Sequence, residues 1–263
     1  MYLKIHALVL RITDYNDRDS LLTVLTERHG KLTIKARGLR RKNSPLVAPC
    51  QLLSYAEFTL FEYRGMYTIN EASSLELFRP LRSDLTKLSL GTYFAQVAET
   101  LSQEDMPNPE LLSLVLNCLH ALSYMTLPEL QIKAVFEFRS ACLAGYTPDL
   151  SGCCSCGNTT PDRFDVSAGC LECASCRSME CASCRSMESD GLRMPITPGV
   201  LNALRYIAFC EPKKLFGFRA GEETLKQLAR VTETYLSVQL ERGFSTLDFY
   251  KSLFFGGYPE DPE

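Results

Sequence analysis

Histidine is scarce in this chain: His6, His29 and His120 are the only three among 263 residues. None has glutamate two places on, so the H-x-E element of zinc deaminases is missing, and H-E-x-x-H is absent as well. No G-x-x-x-x-G-K-[ST] occurs, which argues against a P-loop nucleotide hydrolase. The opening MYLKIHALVLRITDYNDRDS lacks a basic n-region, a long apolar core and a small-residue cleavage site, so no signal peptide is expected. Long apolar runs are lacking too. The longest uncharged stretch, Leu111–Pro128, contains Asn117, His120 and Thr126, and reads as a buried helix and not as a membrane span.

What is there describes a globular protein. A hydrophobic share of 46% with 22% charged residues can bury a full core, and the length suits two modest domains plus an insert. The net charge of −3 hides an asymmetry: residues 1–80 hold 12 Lys+Arg against 8 Asp+Glu, a local +4. The acidic excess therefore lies in the remainder.

Twelve cysteines are distributed unevenly. Cys50, Cys118, Cys142 and Cys210 stand singly in apolar surroundings, and the other eight lie between Cys153 and Cys184. Without an export signal, clustered Cys-x-x-Cys pairs point to a metal site in a reducing compartment, and the expected location is cytoplasmic. Cys153 and Cys156 form a first knuckle. Sixteen residues on, Cys173 and Cys176 complete the spacing of a structural four-cysteine zinc ribbon. The octapeptide CASCRSME is written twice over residues 173–188, so Cys181 and Cys184 offer an alternative second knuckle, and Cys170 with Cys173 another. A redox role would want a βαβ setting that is absent. A catalytic zinc would want an open position and His or carboxylate ligands, so the metal expected is structural Zn(2+).

Periodicity divides the chain. Short strands are expected at Leu3–Ile12, Leu21–Thr26, Lys31–Arg37, Gln51–Tyr63 and Met66–Ala72, with turns at His29-Gly30 and Arg64-Gly65. Five such strands fit a small closed barrel of the oligonucleotide-binding (OB) type. From Pro80 the period becomes helical: a first helix after Ser83-Asp84, then Glu110–Met125, Pro128 to about Gly145, Pro198 to about Phe209, and Glu222–Glu241. The fold class expected is α+β and multidomain. It comprises a barrel at 1–79, a helical domain at 80–150 and 193–250 interrupted by a zinc insert at 151–192, and a tail at 251–263.

RHGKLTIKARGLRRK, residues 28–42, carries seven cations and no acid. As a strand it directs Leu32, Ile34 and Ala36 to one face and Lys31, Thr33, Lys35 and Arg37 to the other. Crowded cations are relieved by an anionic partner, and phosphates on an OB-type face are the natural one. The DNA-binding candidates are Lys31, Lys35, Arg37, Arg40, Arg41 and Lys42. Phe61 and Tyr63, opposite Phe58 and Leu60 on their strand, are candidates for base stacking, although strand aromatics are more commonly core. Asp14, Asp17 and Asp19 read as a turn and not as a nuclease metal site.

The stretch ALVLRITDYNDRDSLLTVLTERHGKLTIKARGLRRKNSPLVAPCQLLSYAEF resembles the amino-terminal domain of the RecO family of bacterial recombination proteins. AGYTPDLSGCCSCG (144–157) and FDVSAGCLECASC (164–176) are similar to that family's metal region. The resemblance carries the ligands onto Cys153, Cys156, Cys173 and Cys176, with Cys170 standing where the family usually has glycine. The distance to Met194 fits better with Cys181 and Cys184, so the choice of copy stays open. The resemblance implies a mediator without enzymatic activity that binds single- and double-stranded DNA and anneals complementary strands. It also implies partners: RecR, the carboxy-terminal tail of single-strand-binding protein (SSB) docked on the helical domain, and RecA, loaded onto SSB-coated strands. A nucleoid-associated protein is implied, with no membrane contact. The competing readings are a zinc-ribbon interaction adaptor that never touches DNA and, with only the thiols in its favour, a zinc hydrolase.

Overall fold

The computed structural model describes residues 2–178 and 192–254. The chain forms two compact units, one from Met1–Thr126 with Phe244–Glu263 and the other from Leu127–Gly243.

The first unit contains β1 (Tyr2–Asp14), β2 (Ser20–Thr26), β3 (Lys31–Ala36), β4 (Tyr55–Tyr63) and β5 (Met66–Glu76); β3 and β4 alternate inward apolar residues with outward ones, whereas β2 is buried at every position but Leu21. Ile5, Val9, Leu22, Val24, Leu32, Ile34, Phe58, Leu60 and Ile69 make one shared core. β1–β2, β2–β3 and β4–β5 are antiparallel, and β3–β5 is parallel. β4 pairs back onto β1, so the order β1-β2-β3-β5-β4 closes on itself. One strand serves two partners because β1 is long and changes register. Tyr2–Leu8 meet β4 and Ala7–Asp14 meet β2, with a shift between Val9 and Arg11.

Asp84 accepts N–H bonds from Thr86 and Lys87 and starts α1 (Leu85–Leu101). Asn108 caps α2 (Pro109–Tyr124), where Pro109 sits in the first turn at no cost in hydrogen bonds. α1 packs on β1, so Leu8 and Leu10 are buried on the strand face opposite Ala7 and Val9.

The second unit contains α3 (Glu129–Leu143), β6 (Asp149–Cys153), β7 (Arg163–Asp165), β8 (Cys170–Glu172), α4 (Ala174–Ser178), β9 (Arg193–Pro195), α5 (Pro198–Phe209) and α6 (Glu222–Gln239). The stripe Leu225, Leu228, Val231, Tyr235 and Leu236 on α6 is buried, and α6 packs on α3. The four short strands pair in the order β6-β8-β7-β9. The chain then returns to the first unit as α7 (Ser245–Ser252), which packs on α1 through Tyr93–Phe244 ring contact and a Thr246 hydroxyl donated to Gln96 at 2.5 Å.

The fold departs from the sequence pattern in several places. β4 begins at Tyr55, not Gln51, because Leu53 turns at φ 62 and donates its N–H to the Val9 carbonyl at 2.9 Å. Arg37 lies in the turn after β3, outside the strand. Pro128 is the cap of α3 and not its first helical residue. The helices expected in one domain at 80–150 and 193–250 are shared out: α1, α2 and α7 belong to the unit with the closed sheet, while α3, α5 and α6 belong to the unit with the cysteines. No helix among the described residues is long and apolar enough to cross a membrane.

Gly30, between β2 and β3, adopts φ +62, and a Cβ there would lie 2.4 Å from the Gln103 carbonyl oxygen and 2.5 Å from that of Met106. Backbone on both sides cannot yield cheaply. Gly30→Ala is expected to destabilise by about 3 kcal/mol, the sum of left-handed strain and overpacking, measured by urea unfolding.

Candidate nucleic-acid surface and metal centre

The alternation expected for β3 is present: Leu32, Ile34 and Ala36 are buried and Thr33 is exposed. The cations divide into two groups. Lys31 donates its Nζ to the Glu99 carbonyl at 3.0 Å. Lys35 pairs with Asp19 at 3.3 Å, its side chain only 18% exposed, and its Nζ lies 4.4 Å from the centre of the Tyr15 ring. Arg40 pairs with Asp14 at 3.2 Å and donates to the Asn16 carbonyl. These three heads, expected to be free, are tied down: Lys35 and Arg40 by acids that the β1–β2 turn folds back, and Lys31 by a carbonyl of α1. Arg37, Arg41 and Lys42 are exposed, and among the described residues none of them forms an ion pair.

Asp19 organises that turn. Its carboxylate accepts N–H bonds from Gly38 at 2.9 Å and the Asn16 side chain at 3.2 Å as well as pairing with Lys35. Asn16 in turn accepts from the Arg18 and Asp19 amides. Asp14, Asp17 and Asp19 thus behave as the turn that the sequence suggests, and among the described residues the only clusters able to hold a metal contain cysteine.

Beside Arg37 lies a groove of about 340 Å³ lined by Tyr2, Phe61, Tyr63, Met66 and Thr68. Phe61 is 41% and Tyr63 59% exposed, so the outward side of β4 carries aromatics that the core does not take. Tyr2 and Phe61 rings are 5.5 Å apart, and the Arg64 guanidinium lies 5.2 Å from the centre of the Tyr63 ring. Tyr2 and Met66 were not legible as part of this surface. Their pairing partners across the sheet, Phe61 and Tyr63, put them there.

In the second unit Cys153, Cys156, Cys173 and Cys176 bring four sulfurs within 4.8 Å of one another. The Cys153–Cys176 separation is 3.8 Å and the Cys156–Cys173 separation 4.0 Å. A tetrahedron with metal–sulfur bonds of about 2.3 Å has edges of roughly 3.8 Å, so the set fits a four-thiolate metal site. Burial would raise the Cys153 thiol, but N–H bonds from Cys156, Ser155 and Cys173 outweigh it and bring it to about 6. Cys176, crowded by the Cys156 and Cys153 sulfurs, is pushed up to about 12. A divalent cation at the centre would reverse that crowding. Cys170 is outside this set, as expected for a bystander of the four ligands. Cys181 and Cys184 lie outside the described residues. Of the scattered thiols, Cys50 and Cys118 are core groups, and burial raises both, Cys50 to about 12.

The Gly38 N–H and the Asn16 side chain hold the Asp19 carboxyl below its ordinary 3.8. A depressed carboxylate stabilises the fold above its unfolded pKa and ceases to do so as pH falls through the folded one. Wild-type protein is therefore expected to be more stable than Asp19→Asn at neutral pH, with the gap closing below pH 3.8. Thermal melts across that window test it.

Two family models cover nearly the whole chain: "Recombination protein O N terminal" over residues 1–78 and "Recombination protein O C terminal" over residues 82–248. A DNA repair protein RecO from Acetivibrio thermocellus is 35% identical over 255 residues, 96% of this chain and 97% of that one. RecO proteins of Alkaliphilus metalliredigens and Bacillus subtilis are each 28% identical, over 96% and 89% of this chain and 100% and 88% of their own lengths. With a strand-rich front and a helical remainder that carries the cysteine cluster, matched at this coverage, the chain belongs to the RecO family of DNA repair and recombination proteins.

Proposed function

We propose that the chain is a recombination mediator that acts by binding and not by bond chemistry. The closed sheet serves as an OB-type barrel for DNA, and the four thiols hold a structural Zn(2+). The strand order, with β3 and β5 parallel, supports the barrel type. One observation carries the DNA reading: Arg37, which forms no ion pair among the described residues, lines a groove with exposed Phe61 and Tyr63, and the exposed Arg41 and Lys42 follow it in the same turn-rich segment. The Arg41 side chain folds back to within 3.2 Å of where a Gly38 Cβ would stand, one residue from Arg37. Cations hold the sugar–phosphate chain without regard to sequence, and aromatic faces accept unpaired bases of any identity. This combination suits single strands and the annealing of two of them. The family resemblance extends the proposal to partners: RecR, the acidic SSB tail, and RecA loaded onto the strand so exposed. A cytoplasmic, nucleoid-associated location follows from that role.

Arg41→Glu with Lys42→Glu is expected to weaken single-strand binding and to flatten the dependence of log K on log salt by about 0.7 for each phosphate no longer neutralised. Fluorescence anisotropy over a salt series reads both. Unchanged affinity and slope would remove these residues, and DNA-independent partner binding with zinc retained would favour the adaptor reading.

The purified protein is expected to hold about one zinc per chain at this site. Cys173→Ser with Cys176→Ser should lose it and unfold the second unit more readily. Cys181→Ser with Cys184→Ser should keep both metal and melting temperature. Metal analysis and calorimetry on the same samples give the answer.

A further inference from the structure

Beside the four-thiol set stands a second pair of sulfurs. Cys154 and Cys170, with a Glu172 carboxylate oxygen, place their ligand atoms within 4.8 Å of one another. The backbone explains the meeting. β6 and β8 are parallel neighbours, and the Cys154 N–H donates to the Leu171 carbonyl at 2.8 Å, which fixes Cys154 against the strand that carries Cys170. On β8, Leu171 is buried while Cys170 and Glu172 take the opposite, half-exposed face.

Three donors could be a metal site, but Glu172 is committed: its carboxylate accepts from Arg193 Nε at 2.8 Å. Removing it leaves two thiols with nothing between them. Cys154 is exposed and Cys170 half-buried, so a small oxidant reaches the first more easily than the second. Neither belongs to the four-sulfur set, whose own thiols a bound metal would shield from oxidation.

We propose that Cys154 and Cys170 form a reversible, peroxide-responsive disulfide. The Cys154 sulfur attacks a peroxide oxygen and the O–O bond breaks, giving a sulfenic acid and water (or an alcohol from an organic hydroperoxide). The Cys170 sulfur then attacks the sulfenic sulfur, the S–O bond breaks, and the Cys170 proton leaves with the hydroxyl as a second water. Two thiols lose two electrons and two hydrogens in total, and the peroxide is reduced by the same two electrons. A cellular dithiol reverses the step, as expected for a disulfide in a reducing compartment. The bond staples the end of β6 to β8 and closes a loop that contains Cys156 and β7, so it tightens the metal-bearing sheet without consuming a metal ligand.

The test uses the full, zinc-loaded chain, treated with hydrogen peroxide, alkylated, cut with trypsin and sequenced by mass spectrometry, with metal measured in the same sample. The expected product joins peptide 140–163 to peptide 164–177 through Cys154 and Cys170, two hydrogens lighter, with zinc retained and the link removed by dithiothreitol. Cys170→Ser should lack the link and carry Cys154 on to sulfinic acid, and Cys154→Ser should lack it while Cys170 stays alkylatable. Zinc release with Cys153, Cys156, Cys173 or Cys176 in the new bond would overturn the proposal. So would a link from Cys154 to Cys181 or Cys184, or a second zinc equivalent lost on Cys170→Ser.

Discussion

The first unit depends on one strand doing two jobs. β1 pairs along its first half with β4 and along its second with β2, and this sharing is what closes the sheet. A flat 13-residue strand could not do both. The register shift between Val9 and Arg11 supplies the bend, and the Val9 backbone at that point is bonded on both sides to the 53–54 turn, N–H to Ser54 and carbonyl from Leu53. Closure decides where the loops lie. It brings the β1–β2 turn against the segment after β3, where Arg40 N–H meets the Arg18 carbonyl, and it lines Tyr2 up with Phe61 and Met66 with Tyr63.

Those placements change how the basic stretch reads. Seven cations in fifteen residues suggest a uniformly positive face, but electrostatics in a folded chain is settled by what lies across the sheet. Asp14 and Asp19 sit 12 or more residues earlier in sequence than the cations they neutralise, and Glu99 gives Lys31 a carbonyl from 68 residues away. The pairs at Lys35 and Arg40 are partly exposed and individually worth little in stability. Their larger effect is on shape: they stiffen the turn and leave Arg37, Arg41 and Lys42 exposed and without an ion pair among the described residues. The basic stretch is thus not one uniform face: Arg37 stands beside exposed aromatics while Lys35 and Arg40 are spent on the turn.

Local chemistry was legible wherever it was repeated or capped. The α6 stripe, the β3 alternation, the caps at Asp84 and Thr197 and the Cys-x-x-Cys spacing all express interactions between residues a few places apart. Three kinds of feature were not legible. Leu53 turns left-handed because of a partner 44 residues away, so nothing in its neighbours announces it. β7, β8 and β9 are three residues each, too short to show a period, and are defined only by their pairing across the sheet. α7 has two buried side chains, Leu247 and Tyr250, and owes its position to packing on α1. The exposed fate of Phe61 and Tyr63 falls between: alternation put them outward, but only the closed sheet shows that nothing in the first unit's core claims them.

The second unit adds a rule that composition hides. On α3, Lys133 is buried with Glu137, 2.8 Å away, and meets Glu233 of α6 at 2.7 Å, while the Thr232 hydroxyl donates to Glu137 at 2.9 Å. Burial alone would lower the Lys133 pKa, but the two carboxylates outweigh it and hold it above its ordinary value, while burial raises Glu137. Like charges are crowded there, and only the ammonium between them makes the crowding favourable. Among the four thiols, N–H bonds lower Cys153 while the Cys156 and Cys153 sulfurs raise Cys176, a crowding that a cation at the centre would relieve. An apolar core tolerates the loss of one member in proportion to volume. The ion-pair centre does not, because replacing Lys133 leaves the Glu137 and Glu233 carboxylates without the charge that both of them face. The second unit therefore adds a buried charge cluster to its apolar packing, where the first unit rests on one shared apolar core.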